Sequence, residues 1–386
     1  MSPASRSRRL LAITAALALA LAVPATAADD DPKVVADGLD NPRGLGFGPG
    51  GYLYVAEAGR GGDGPCVEFE GSSTCFGTSA AVTRIDLGDD EQKRITKGLP
   101  SLAAPGGADA IGASDVSFPR EGKSYDDRGF LTIGSGFDPA DHGQFGDGGA
   151  RLAKLYRLWP DGRTRTLADL GAFEAAENPD ADLPENDVNS NPNGVAAVNG
   201  REAIVADSGA NTVLRADRLG NVELLGVIPF GEAPAPPIPD FPVPPGTPIP
   251  FQSVPTSVAL GDDGAVYVGQ LTGFPFPKGG AGVWVIKPGE APTPYATGFT
   301  LITDVALDDD GNLYVVQIAS DTFLGPPTPG ALIKVSPDGE RTELAAGKLT
   351  APYGIALRGD HAYVTQNTTE AGTGEVVKIE LDADDD

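Results

Sequence analysis

Pro42-Arg43-Gly44-Leu45-Gly46-Phe47, then Gly48-Pro49-Gly50-Gly51, then Tyr52-Leu53-Tyr54-Val55-Ala56-Glu57 reads as strand, tight turn, strand. The unit returns as Pro192-Asn193-Gly194-Val195-Ala196 with Ala203-Ile204-Val205-Ala206-Asp207. It returns as Pro255-Thr256-Ser257-Val258-Ala259-Leu260 with Ala265-Val266-Tyr267-Val268-Gly269-Gln270, and as Ile302-Thr303-Asp304-Val305-Ala306-Leu307 with Leu313-Tyr314-Val315-Val316-Gln317. The last copy is Pro352-Tyr353-Gly354-Ile355-Ala356-Leu357 with Ala362-Tyr363-Val364-Thr365-Gln366. Ser114-Asp115-Val116-Ser117-Phe118 with Phe130-Leu131-Thr132-Ile133-Gly134-Ser135 is a more divergent sixth. A third strand follows each copy and usually a fourth, as in Ala331-Leu332-Ile333-Lys334-Val335 and Arg341-Thr342-Glu343-Leu344. Turns such as Pro160-Asp161-Gly162 and Pro337-Asp338-Gly339 supply the positive φ that tight hairpins need. Four short antiparallel strands per unit, at a minimum spacing of about 47–50 residues, predict an all-β, six-bladed β-propeller.

The chain also shows how the ring closes. Val376-Val377-Lys378-Ile379 is the third strand of the last blade, and little sequence follows it. Val34-Val35-Ala36-Asp37-Gly38-Leu39 matches the fourth strands Arg94-Ile95-Thr96-Lys97-Gly98-Leu99 and Pro294-Tyr295-Ala296-Thr297-Gly298-Phe299. A closing strand over 33–39 is therefore expected to complete the C-terminal blade and remove an exposed sheet edge.

Ahead of that strand, Arg6, Arg8 and Arg9 precede an uncharged run from Leu10 to Val23 and an A-x-A exit, Ala25-Thr26-Ala27. This is the pattern of a secretory signal peptide over 1–27, cut after Ala27, and the run is short of the roughly 20 apolar residues of a membrane span. A secreted, extracellular protein is expected, with 28–386 as one propeller domain; the route, Sec or twin-arginine, stays open. Residues 1–27 carry three arginines and no acid, so their removal takes the net charge from −26 to −29. Such acidity disfavours nucleic acid and anionic membrane surfaces as partners. A terminal acidic cluster, Asp382, Asp384, Asp385 and Asp386, ends the chain. Cys66 and Cys75 are expected to form a disulfide that clips a Gly-rich loop, stabilising it by about 2–3 kcal/mol.

Blade topology divides the loops between two faces. The connections from strand two to strand three, and from strand four to the next strand one, share one face, and nearly every insertion falls there. Examples are the Cys66–Cys75 loop, Gly273-Phe274-Pro275-Phe276-Pro277, Phe323-Leu324-Gly325-Pro326-Pro327, and the stretches Leu99–Ala113, Gly171–Pro192 and Pro229–Ser253. The opposite face is expected to be uniformly tight. Long loops on a rigid scaffold are where binding usually resides. The proline-rich loop 229–253 reads as a polyproline-II-like excursion whose Phe230, Phe241 and Phe251 pack on the propeller or meet a ligand.

Two polar rings are expected at the channel mouth on the long-loop face. Arg43, Ser114, Asn193, Thr256, Thr303 and Tyr353 precede or open the inner strands. Glu57, Ser135, Asp207, Gln270, Gln317 and Gln366 end the second strands. Asp115 joins them as a candidate. A concave polar mouth can hold a ligand, and strand ends meeting water also need polar residues, so both readings stand.

These motifs resemble the NHL and gluconolactonase/regucalcin-like propellers. Within that group, Gly38-Leu39-Asp40-Asn41-Pro42-Arg43-Gly44-Leu45, Ala150-Arg151-Leu152-Ala153-Lys154-Leu155-Tyr156-Arg157 and Asn191-Pro192-Asn193-Gly194 resemble the ScyD/ScyE family of secreted propellers. The wider resemblance implies a divalent cation, calcium or similar, at the channel mouth, held by a Glu, two Asn and an Asp. Asn193 matches that set. Arg43 stands at the Glu position, Thr303 at the Asp position with Asp304 one place on, and Ser114 or Asp115 at the remaining Asn. The usual lactonase site is therefore not retained, and a rearranged set would be Glu57, Asp115, Asn193 and Asp207. Asp141-His142 is expected in a surface loop, His361 at a hairpin, and Asp308-Asp309-Asp310-Gly311-Asn312 as turn chemistry. The leading function is a binding or interaction protein for a small molecule or an extracellular protein, with the oligomeric state open and a monomer as the default. The alternative is a metal-assisted, lactonase-type hydrolase at the channel.

Overall fold

The computed structural model describes residues 31–69, 72–120, 127–184 and 187–381. The signal segment 1–27 and the acidic tail 382–386 lie outside them. Six four-stranded antiparallel blades follow one another around a ring. Blade 1 comprises Pro42–Phe47, Leu53–Glu57, Ser72–Asp86 and Glu91–Ala103. Blade 2 comprises Ala113–Ser117, Gly129–Ile133, Lys154–Leu158 and Thr164–Asp169. Blade 3 is Pro192–Asn199, Glu202–Asp207, Thr212–Ala216 and Val222–Val227; blade 4 is Pro255–Leu260, Val266–Gln270, Ala281–Ile286 and Thr293–Phe299. Blade 5 is Ile302–Leu307, Leu313–Gln317, Gly330–Val335 and Arg341–Leu349. Blade 6 is Ile355–Arg358, His361–Gln366 and Ala371–Glu380, completed by Lys33–Asp40. The closing strand runs antiparallel to Ala371–Glu380, with Lys33 opposite Lys378, Val34 opposite Val377 and Leu39 opposite Gly374.

The apolar runs of the second strands have a reason. Each blade is covered on both sides, so alternate residues of one strand enter different cores, and the strand reads as continuously apolar. Leu53 and Val55 pack toward blade 6, whereas Tyr54 and Ala56 pack toward blade 2. Leu313 and Val315 face blade 4, and Tyr314 and Val316 face blade 6. A separate hydrophobic cluster fills every blade interface, including blade 6 against blade 1, where Leu39 and Ala36 of the closing strand join Leu45, Val55 and Tyr363. Each fully buried Leu, Val or Phe contributes about 1.5–3 kcal/mol.

The loops depart from expectation in four places. Blade 2 joins its first two strands through residues 118–128, so the face expected to be uniformly tight carries one long connection. The proline-rich stretch is anchored by a two-stranded hairpin, Gly231–Pro234 against Pro248–Phe251, with Phe251 5% exposed and packed over Gly231. Its prolines still allow pairing because such a short ribbon asks for few ladder donors. Residues Pro139–Arg151 form 3-10 turns and Leu170–Glu177 a helix, both within stretches expected to be loop. His142 is buried instead of lying on the surface. Its Nε2 is 2.7 Å from Ser135 Oγ, and burial, followed by the charge of Lys154, lowers its pKa. Cys66 and Cys75 are paired in a disulfide directly across the hairpin of Cys66–Phe69 and the start of Ser72–Asp86.

Candidate functional site

The polar ends of the second strands share a mechanical role. In four blades the side chain accepts an N–H from the backbone just before that blade's inner strand. Glu57 accepts from Asp40 at 2.8 Å, Asp207 from Asn191 at 2.6 Å, Gln317 from Thr300 at 2.7 Å and Gln366 from Thr350 at 3.3 Å. Asn191, Thr300 and Thr350 lie between strands and Asp40 is the last residue of the closing strand, so each of these amides needs a partner at the end of a ladder. Glu57, fully buried, also takes Thr83 and a two-pronged contact from Arg94, whose closest approach is 2.6 Å. Asp207 collects Ser190 Oγ and the N–H groups of Gly209 and Ala210; burial nevertheless pushes its pKa to about 6. Gln270 accepts from Trp284 Nε1 at 2.9 Å.

The first ring does something different. Thr256 and Thr303 donate to the carbonyls of Ile302 and Tyr353 on the next blade, stitching inner strands together. Tyr353 reaches across the channel, and its hydroxyl donates to Asn193 Oδ1 at 2.9 Å. Blades 6 and 3 are opposite in the ring, so this pair is a bar across the channel. Arg43 lies over the Tyr353 ring, 4.7 Å from its centroid, and donates to the Ala110 carbonyl at 2.9 Å.

On the other side of the bar, toward the short-turn face, the channel opens into a cavity of about 420 Å³. The inner strands place Gly44, Asp115, Gly194, Ser257, Asp304 and Gly354 at one level, one per blade. The two acids fall on opposite blades. Asp115 accepts from the Val116 and Val195 amides, both at 2.7 Å, and Asp304 from Val305 and Ile355, both at 2.8 Å. Glycine at Gly44 makes room, since a Cβ there would strike the Asp115 carboxylate. Both acids line the cavity. Burial pushes Asp304 to about 7. Asp115 is held well above the usual carboxylate range, first by burial and then by the charge of Asp304. Such a pair retains a proton near neutrality.

The donor chemistry of the resemblance's cation site is not met at the long-loop mouth. Arg43 places a guanidinium where a carboxylate is wanted. Each member of the rearranged set is engaged separately: Glu57 by Arg94, Asp207 by four donors, Asn193 by Tyr353 and Ser208, Asp115 by two amides. Among the described residues no three His, Cys, Asp or Glu side chains gather into a metal-holding group.

The long-loop face gathers aromatic side chains instead. Phe241 of the proline-rich loop stacks on Phe274 at 5.4 Å; Phe274 meets Phe276 at 6.2 Å, and Phe276 meets Phe323 of blade 5 at 5.3 Å. Three separate loops thus build one chain of rings. An ion pair at 3.0 Å between Lys278 and Asp321 ties two of those loops together. Phe274 remains 37% exposed and Phe323 46%. The sequence showed these residues in long loops; their meeting was not readable, because ring contacts between loops of different blades have no local signal.

No protein-family model matches the sequence, and no curated protein matches it. Solved structures do match in shape. A protein of unknown function from Bacteroides thetaiotaomicron VPI-5482 is similar at TM-score 0.55 and 12% identity, over 92% of this chain and 73% of the other. The PQQ-bound aldose sugar dehydrogenase of Streptomyces coelicolor is similar at TM-score 0.52 and 15% identity, over 93% of this chain and 99% of the other. Identities this low carry the fold alone. Among the described residues, no helix is long and apolar enough to cross a membrane. What the molecule itself establishes is a closed six-bladed propeller, barred on its long-loop side and open on its short-turn side.

Proposed function

We propose that this chain is an exported, ScyD/ScyE-like propeller that binds a ligand or an extracellular partner through its long-loop face. The chain of rings Phe241–Phe274–Phe276–Phe323 carries the reading. Exposed aromatic clusters on a rigid frame are costly to solvate and typical of interface cores. Leu324, 43% exposed, extends the apolar surface beside Phe323. The signal pattern and the Cys66–Cys75 disulfide fit an oxidising, extracytoplasmic setting.

A second reading, lactonase-type hydrolysis at the channel, is favoured by Asp115 and Asp304 alone. Burial raises both acids, and the charge of Asp304 raises Asp115 further, so the pair would offer one ionised and one protonated carboxyl. The ionised carboxylate would take the proton of a water adding to the acyl carbon. The protonated one would give its proton to the departing alkoxide. No step is assigned to a metal.

A thermal-shift screen of soluble saccharides, peptides and lactones separates the two readings when run on three proteins: wild type, Phe274→Ser/Phe323→Ser and Asp115→Asn/Asp304→Asn. The binding reading expects a ligand that stabilises the wild type and the aspartate variant but not the phenylalanine variant. A shift lost only in the aspartate variant, with lactone turnover lost alongside it, would overturn it.

A further inference from the structure

The connection between blades 2 and 3 holds a group of buried oxygens that neither the channel nor the aromatic surface uses. The helix Leu170–Glu177 is capped by Asp169, which accepts the Ala172 N–H at 2.9 Å, and it ends at Asn178 in the left-handed conformation. Glu174 lies on its inward side and is 1% exposed. Neither carboxylate oxygen of Glu174 has a hydrogen-bond partner. The backbone N–H of Asn189 approaches the carboxylate closely enough to favour its charge, yet does not reach hydrogen-bond geometry. Asp180, also 1% exposed, uses Oδ2 to accept from Asn211 Nδ2 at 2.9 Å and leaves Oδ1 without a donor. The side-chain oxygens of Asn178 and Asn189 are buried and unpartnered as well. Among the described residues, five of the ten buried side-chain oxygens that lack a partner fall on these four residues. All five are acceptors.

Charge points the same way. The groups acting on Glu174 are Asp207, Asp180 and Asp187, and none is basic. Lys154, on the strand beneath the helix, is paired with Asp169 at 2.5 Å, and His142 of the neighbouring 3-10 turns bonds Ser135. Burial first, then these like charges, push Glu174 up to about 8. A proton relieves one oxygen of such a group. A hard cation relieves several at once, which is the usual answer to buried carboxylates that feel one another's charge.

We infer that Glu174, Asp180 and the amide oxygen of Asn189 form a binding site for a calcium-class cation that ties Asp180 and Asn189 to the helix Leu170–Glu177 beside blade 3. The donors are all oxygen, which selects a hard ion over zinc, and both free oxygens of Glu174 suit the wide shell of calcium. Two carboxylates with amide oxygens and water fill such a shell without a third acid. The site is also coupled to the long-loop face. Asn211, which holds Asp180, accepts from Ser253 Oγ and the Val254 N–H at the base of the proline-rich loop that carries Phe241.

The test is calorimetric and thermal titration of the chelator-treated full chain with calcium chloride alone. One calcium per chain is expected, with Tm raised by about 3 °C once calcium is some hundredfold above its Kd. Glu174→Gln/Asp180→Asn should lose the calcium shift, yet melt without metal at or above the wild type, since two repelling buried acids are gone. Glu174→Gln alone should weaken binding at least tenfold, which keeps the inference testable if the double variant does not fold. Asp115→Asn/Asp304→Asn should keep the full calcium shift. No heat and no Tm change at about 5 mM calcium, or a shift that survives in Glu174→Gln/Asp180→Asn, would overturn the site.

Discussion

Several carboxyls in this protein are kept from ionising at ordinary pH, and that has a measurable consequence. Asp304 is held at about 7, Glu174 at about 8, and Asp115 well above its usual range, in each case chiefly by burial. A carboxyl whose folded pKa lies above its unfolded value binds its proton more tightly in the folded state. Its stabilisation is complete below the unfolded pKa and is lost as pH rises through the folded one. His142 has the opposite sign: its pKa is lowered, so its effect on stability ends above the ordinary histidine value of about 6.5. Between pH 6.5 and 8.5 the acids alone act. Tm of the chelator-treated protein should therefore fall steadily across that window, and Asp304→Asn should flatten the slope. A Tm that rises across it would contradict the protonated-acid description. The same residues mark where the sequence was silent. Asp207 and Glu57 stand out as polar ends on apolar strands, but a polar residue does not announce whether it faces a ligand or a backbone amide. Asp115 and Asp304 share a level only because blades 2 and 5 are opposite, a relation of the closed ring and not of neighbouring residues.

Among the elements, the strands were legible and the insertions were not. Pro42–Phe47 with Leu53–Glu57, and its later copies, gave the blades because their apolar runs are dictated by cores on both sides. The helix Leu170–Glu177 was missed because eight residues with only a few buried positions show little periodicity. The closing strand Lys33–Asp40 was readable from its likeness to other fourth strands, including the glycine, Gly38, at a positive φ of 66°. It joins the core between blades 6 and 1 through Leu39 and Ala36. Two such side chains, with the ladder bonds to Ala371–Glu380, amount to several kcal/mol, a large part of ordinary domain stability. A chain beginning at Asn41 should therefore lose its cooperative melt or self-associate through the bared edge, as read by calorimetry and light scattering. A monomer melting within about 2 °C of the intact protein would show that the strand does not close the ring.

At the scale of the whole molecule, the two faces are unequal in a way topology alone did not give. The long loops, the disulfide hairpin and the aromatic chain share one face, while the channel opens on the other beneath the Tyr353–Asn193 bar. Sequence placed the insertions on one face, except the connection between the first two strands of blade 2, but also placed the polar mouth there, because strand-end polarity looks the same whether it lines a pocket or latches a loop. The proposed binding role rests on this division of faces. Hydrogen exchange of the free protein and of its complex with a stabilising ligand from the screen tests it most directly. The long-loop assignment predicts protection confined to 236–252, 271–280 and 318–329. Protection at the inner-strand segments 115–118 and 304–307, with the long loops unchanged, would contradict it and move the function to the channel.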